Sequence, residues 1–132
     1  MKALGISESH MNKVLLISVV DDDESLRESL EGLLKSLGYA VVTFPSAEEF
    51  LTSRVRAKTN CLILDVRMTG MSGIELQCEL IAQKQNVPII FITANSDDDV
   101  ISRVMAAGAV DCLLKPFSEE ALLNAIDRSL CG

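Results

Sequence analysis

The sequence predicts an α/β domain: a five-stranded parallel sheet, doubly wound as (βα)5. Three observations carry that expectation. Five apolar runs recur along the 132 residues, the segments between them repeat apolar residues with helical spacing, and run and helix alternate throughout. Near-continuous apolar runs mark strands buried on both faces, as in a parallel sheet, whereas alternation would mark a half-solvated one. Strict alternation of strand and helix implies right-handed crossovers and an open sheet with helices on both sides. The length suits one domain with a sizeable core.

The elements follow in order. The first strand is VLLISVV (14–20), apolar except for Ser18. In ESLRESLEGLLKSLG, Leu26, Leu30, Leu33, Leu34 and Leu37 form one helical stripe, and Gly38 suits a left-handed stop. YAVVTF (39–44) is the second strand, and Ser46 with Glu49 reads as a capping box opening the second helix. CLIL (61–64) is the third strand, and SGIELQCELIAQKQ gives a helix stopped before Pro88. PIIFIT (88–93) is the fourth strand, and SDDDVISRVMAAGA gives a helix ending at Gly108. VDCLL (110–114) is the fifth strand, followed by the helix SEEALLNAIDRSL with Ser118 as N-cap.

Composition narrows the classes. The hydrophobic fraction of 48% and charged fraction of 23% are those of an ordinary globule. A net charge of −7 argues against a nucleic-acid or anionic-membrane surface, since both need clustered Lys and Arg. Cys61, Cys78, Cys112 and Cys131 show no CxxC and no pairing rhythm, which points to a reducing cytoplasm. No apolar stretch is long enough to span a membrane. Residues 1–11 are read as a leader or appended remnant, with Met11 a candidate start and His10 a solvated residue. Residues 12–132 are read as the single domain.

In such a sheet, function belongs at the carboxyl ends of the strands. The first strand ends on Asp21 and Asp22, the third on Asp65, the fourth on Thr93 and the fifth on Lys115. Three acids, one hydroxyl and one amine thus meet on one edge. Closely spaced carboxylates become tolerable when a divalent ion neutralises them, and Mg2+ needs few protein ligands. Asp23 is assigned to capping the first helix. A second triplet, Asp97-Asp98-Asp99, is the control. It follows Ser96, read as an N-cap, with Asp99 at the capping-box position, and acids there complement the helix dipole.

VVDDDES, LILDVRMTGMSG, FITA and LLKPF, in this order, resemble the receiver domain of two-component response regulators over residues 13 to about 130. SAEEFL and ESLRESLEGLL further resemble receivers of the FixJ type, usually fused to a DNA-binding helix-turn-helix. The resemblance implies a flavodoxin-like strand order 2-1-3-4-5. It implies Asp65 as phosphoacceptor, Thr93 and Lys115 as partners of the phosphoryl group, and a cis Lys115-Pro116 bond. It implies Mg2+ held by Asp21, Asp22, Asp65 and the backbone carbonyl of Arg67, with Asp21 acting through metal-bound water. It implies a sensor histidine kinase as donor, self-association on phosphorylation through the face of the fourth helix, fifth strand and fifth helix, and no DNA contact by this domain itself. Self-phosphorylation and self-dephosphorylation would be its only chemistry.

Two positions depart from the family pattern. Thr69 stands where these loops usually carry proline, and Cys112 stands where a Tyr or Phe ring usually changes rotamer. Cys112 is expected to be a buried thiol under the fourth helix, so a receiver with impaired switching is an open alternative. A Mg2+-dependent phosphatase with an aspartyl nucleophile is another, disfavoured because it wants a second acid two residues on, where Arg67 stands. A flavodoxin-like cofactor binder would need a phosphate-cradling loop where this chain has acids. Met68, Met71 and Gly73 read as packing or turn residues, and Lys13 and Arg67 as solvated.

Overall fold

The computed structural model describes residues 14–131, so the expected leader, His10 and Lys13 lie outside the described residues. Five strands form one parallel sheet: β1 (Leu16–Val20), β2 (Ala40–Phe44), β3 (Cys61–Asp65), β4 (Ile89–Thr93) and β5 (Asp111–Leu114). Their order is β2-β1-β3-β4-β5, as the resemblance implied. The helices are α1 (Glu24–Ser36), α2 (Ala47–Leu51), α3 (Gly73–Ala82), α4 (Asp98–Ala106) and α5 (Glu119–Cys131). A 3-10 helix over Arg54–Lys58, which the sequence pattern did not signal, precedes β3.

Strand periodicity sorts the core into two layers. On one face Val20, Leu62, Leu64 and Phe91 pack with Phe44, Phe50, Leu76, Leu80 and Val104, so α2, α3 and α4 cover it. On the other face Ile17, Val19, Ile63, Ile90 and Ile92 pack with Leu30, Leu34, Leu122 and Ile126, so α1 and α5 cover it. All residues of β3 and β4 are buried, as continuous apolar runs require. β5, at the edge as the expected strand order places it, is only partly covered, and Leu114 is 47% exposed. An apolar run alone does not distinguish an edge from a centre.

The helix ends show where short-range chemistry held. Asp23 caps α1, accepting from the N–H groups of Ser25 and Leu26. Gly38 and Gly108 follow α1 and α4 at φ +97° and +108°, the left-handed region that glycine adopts freely. Ser118 caps α5 by accepting from Ala121 N–H. Ser46 accepts from Glu49 N–H, while the reciprocal capping box is seen at Ser72 and Glu75 instead. The N-cap of α4 is Asp97, not Ser96, and it accepts from Asp99 and Val100 N–H. A carboxylate can cap as well as a hydroxyl, so the frame moves by one residue.

The junction of β3 and α3 is the tightest point in the fold. Gly73 N–H donates to Val66 O at 2.9 Å, and a Cβ on Gly73 would stand 2.1 Å from the carbonyl oxygen of Asp65. That oxygen is backbone at the end of a buried strand and cannot give way cheaply. Gly32, exposed inside α1, has nothing within 4 Å of its would-be Cβ. Gly73→Ala is therefore expected to destabilise the protein by about 3 kcal/mol through overpacking. Gly32→Ala should stabilise it by about 0.5–1 kcal/mol by removing backbone entropy from the unfolded chain. Urea unfolding of both variants checks the pair; equal effects would remove the β3–α3 junction from the account.

Candidate functional site

The carboxyl edge of the sheet gathers the residues that the sequence nominated. Asp21 follows β1, is fully buried, and its Oδ1 accepts from Asp23 N–H at 2.9 Å. Asp65 ends β3 and is 5% exposed. Asp22 is exposed at the rim. One carboxylate oxygen from each of Asp21, Asp22 and Asp65 lies within 4.8 Å of the others. Lys115, after β5, sets its Nζ 2.9 Å from Asp21 Oδ2 and 3.6 Å from Asp65 Oδ2. The lysine was expected to serve the acceptor; its closer partner here is Asp21. The Lys115-Pro116 peptide beside it is cis.

The electrostatics follow from burial and like charge. Desolvation and the neighbouring Asp21 push the Asp65 carboxyl up to about 6, against the opposing pull of Lys115 and of the Arg67 N–H. That N–H lies 3.4 Å from Asp65 Oδ1, long for a hydrogen bond. Burial alone would lower the Lys115 ammonium, but the Asp21 hydrogen bond and the fields of Asp65 and Asp21 outweigh it, and its pKa rises. Asp21 and Asp65 therefore share one cation, and Asp22 adds a third carboxylate beside them. A hard divalent ion fits such an oxygen-only, over-negative cluster, and the exposed rim at Asp22 leaves it an entry side.

The remaining candidates are placed as follows. Thr93 ends β4, is 2% exposed, and its hydroxyl is engaged locally, accepting from Asn95 N–H at 3.2 Å and lying 3.3 Å from Asn95 O. Arg67 is exposed two residues past Asp65, and its guanidinium lies 3.8 Å from Asp97 Oδ2. The control triplet thus begins α4 as expected, but Asp97 also faces the loop after β3. Exposed pairs of this kind are worth little. Cys112 is half-buried rather than buried; it pairs with Phe91 across β4 and β5 and packs against the core layer that α2, α3 and α4 cover, and burial raises its thiol pKa. Two residues with site contacts were not foreseen. Arg27 on α1 donates from Nη1 to Asp21 O at 2.7 Å, and Glu48 on α2 accepts from Met71 N–H at 3.0 Å. Both lie within helices that read as ordinary amphipathic surface, so no local signal marked them.

Comparison with known proteins gives a consistent result. The family model for the response regulator receiver domain matches residues 17–127. Nodulation protein W of Bradyrhizobium diazoefficiens is 47% identical over 111 residues, covering 84% of this chain and 49% of that protein. Transcriptional regulatory protein FixJ of Azorhizobium caulinodans is 41% identical over 120 residues, covering 91% of this chain and 57% of that one. Among solved structures, response regulator StyR superposes with a TM-score of 0.83 at 50% identity, covering 90% of this chain and 60% of StyR. The chain spans about half the length of the curated relatives it matches. No helix among the described residues is long and apolar enough to cross a membrane. With its 2-1-3-4-5 sheet, its carboxylate cluster at the strand ends and these matches, the chain belongs to the response regulator receiver family of two-component signalling.

Proposed function

We propose that Asp65 is the phosphoacceptor of this receiver, that Asp21 and Asp22 hold Mg2+ with it, and that Thr93 and Lys115 receive the phosphoryl group. The observation that carries this reading is the convergence of Asp21, Asp22, Asp65 and Lys115 within one small volume at the sheet edge. The backbone carbonyl of Arg67 is assigned as a further ligand from the family pattern. Bound Mg2+ would supply charge neutralisation at the transferring phosphoryl oxygens. The chain's own residues supply the rest. Above its pKa of about 6, Asp65 is a carboxylate and therefore a nucleophile at neutral pH. Its oxygen attacks phosphorus in line as the bond to the donor's imidazole nitrogen breaks, so the product is an acyl phosphate. Lys115 stands 3.6 Å from Asp65 Oδ2, near enough to pair with the new charge, and Thr93 would turn its hydroxyl from Asn95 toward it.

The donor is assigned as the phosphohistidine of a sensor kinase. The output is assigned to a DNA-binding domain C-terminal to residue 132, supported by relatives that are named as transcriptional regulators and of which this chain covers only 57% and 50%. Self-association through α4, β5 and α5 is the proposed readout, with residues 12–132 as the signalling domain and the cytoplasm as its place. The free cysteines agree with the last point. Cys112 has no ring to swing, so the switch is assigned to movement of α4 with the loop before it. Turnover of free phosphoesters is not part of this reading, because no acid stands at position 67.

Incubation with Mg2+ and acetyl phosphate should add the mass of one phosphoryl group to the parent and none to Asp65→Asn, which keeps the shape but not the nucleophile. Phosphorylation of Asp65→Asn at another acid would falsify the acceptor assignment.

Mg2+ titration by calorimetry separates the two triplets. Asp22→Ala should weaken binding at least tenfold, as loss of a charged ligand does, while Asp98→Ala leaves it unchanged. In the parent, protons compete for Asp65, whose raised pKa is about 6. Affinity should therefore rise with pH up to about 6 and level off above it. Equal losses in both variants, or affinity flat from pH 4.5 to 7.5, would remove the cluster from metal binding.

A further inference from the structure

The loop between β3 and α3 carries the acceptor at one end; Met68 and Met71 pack against the core, but the backbone between them makes few hydrogen bonds. Gly73 N–H reaches Val66 O, and Ser72 N–H reaches Glu75 Oε1, so the helix end of the loop is secured. Residues 67–70 lack such anchors to their own loop beyond the long Arg67 N–H contact with Asp65, and Thr69 and Gly70 are exposed. Gly70 stands at φ +80°, in the left-handed region that glycine adopts readily, and the stretch contains no proline to stiffen it.

We infer that Glu48 is a positioning residue for the acceptor loop, a carboxylate strap from α2 that holds Met71 and Gly70 so that the Asp65–Arg67 segment keeps its metal- and phosphoryl-binding shape. One hydrogen bond and one close approach, both by the same carboxylate oxygen, define the strap. Glu48 Oε2 accepts from Met71 N–H at 3.0 Å, across 23 residues of sequence. The same oxygen lies 2.8 Å from where a Cβ on Gly70 would stand, so the bare Gly70 backbone leaves room for the carboxylate in this position. Among the described residues this is the sole hydrogen bond joining residues 68–71 to another element. The Met71 N–H also holds the Glu48 carboxyl below its usual pKa, as a donor to the charged form does. Glu48 sits on a helix whose Ala47 and Phe50 are fully buried, so its backbone is anchored in the core while its side chain is spent on the loop.

The inference rests on the phosphoacceptor reading for its consequence but not for its mechanics, and the test separates the two. Amide hydrogen exchange on the unphosphorylated protein reads the strap directly, and Mg2+ affinity with the rate of phosphorylation by acetyl phosphate reads the consequence. Glu48→Ala should speed exchange at the Met71 amide and lower both Mg2+ affinity and the phosphorylation rate by about fivefold, the scale of one net hydrogen bond. Glu48→Gln keeps an acceptor oxygen and should retain most of all three, and melting temperature should change little in either variant. Unchanged Met71 exchange in Glu48→Ala overturns the strap, and so does equal loss in Glu48→Ala and Glu48→Gln. A parent that takes no phosphoryl group overturns the phosphoacceptor reading instead, while the exchange result still stands or falls by itself.

Discussion

Three carboxylates gathered on one sheet edge, with one ammonium bridging two of them, is the constraint on which the rest depends. Full charges 4.8 Å apart repel by about 3 kcal/mol per pair at an effective dielectric near 20. A flexible chain would separate them. This one does not, because Asp21 and Asp65 continue strands whose side chains are locked into two apolar layers. Lys115 offsets part of the repulsion by bridging Asp21 and Asp65, and burial together with the field of Asp21 still raises the pKa of Asp65. The excess negative charge is what makes the edge a site for a cation and, once a cation is present, for a phosphoryl group.

The layers do more than support the edge. Truncating a fully buried side chain such as Phe91 or Leu64 costs about 3–5 kcal/mol, comparable to the repulsion the cluster stores. The core can therefore hold the acids together without help from ligand. The surrounding ties then set the finer geometry. Arg27 fixes the Asp21 backbone from α1, Gly73 lets α3 begin against the Asp65 carbonyl, and Glu48 holds the far side of the loop from α2. Each of these comes from a different element, so the site is supported from both faces of the sheet.

Much of this was legible in the sequence because it depends on periodicity and on strand ends. Continuous apolar runs marked β1, β3 and β4, and polar residues closing the runs at Asp21, Asp65, Thr93 and Lys115 marked the edge. Local capping rules placed Asp23 and Ser118 correctly and missed Asp97 by one residue, since serine and aspartate cap equally well. Other features are tertiary and left no local trace. The partial exposure of β5 and of Cys112 depends on which strand is outermost. The 3-10 helix over Arg54–Lys58 has no apolar stripe to announce it. Arg27 and Glu48 are ordinary surface residues by pattern, and only the fold shows that each reaches a backbone group of the site.

The folded protein bears an electrostatic cost at Asp65 in the absence of metal. The direct test is the unfolding free energy of metal-free parent and Asp65→Asn, compared from pH 8 to pH 4.5. A carboxyl whose pKa is about 6 folded and near 4 unfolded binds protons more tightly in the native state. Its charge therefore lowers stability progressively as pH rises from about 4 to about 6, and fully above that. Asp65→Asn should be the more stable protein at pH 8, by about 1–3 kcal/mol, and the advantage should shrink toward zero near pH 4.5. An Asp65→Asn protein that is no more stable than the parent at pH 8, or whose difference from it does not vary with pH, would mean that the Asp65 charge carries no such cost.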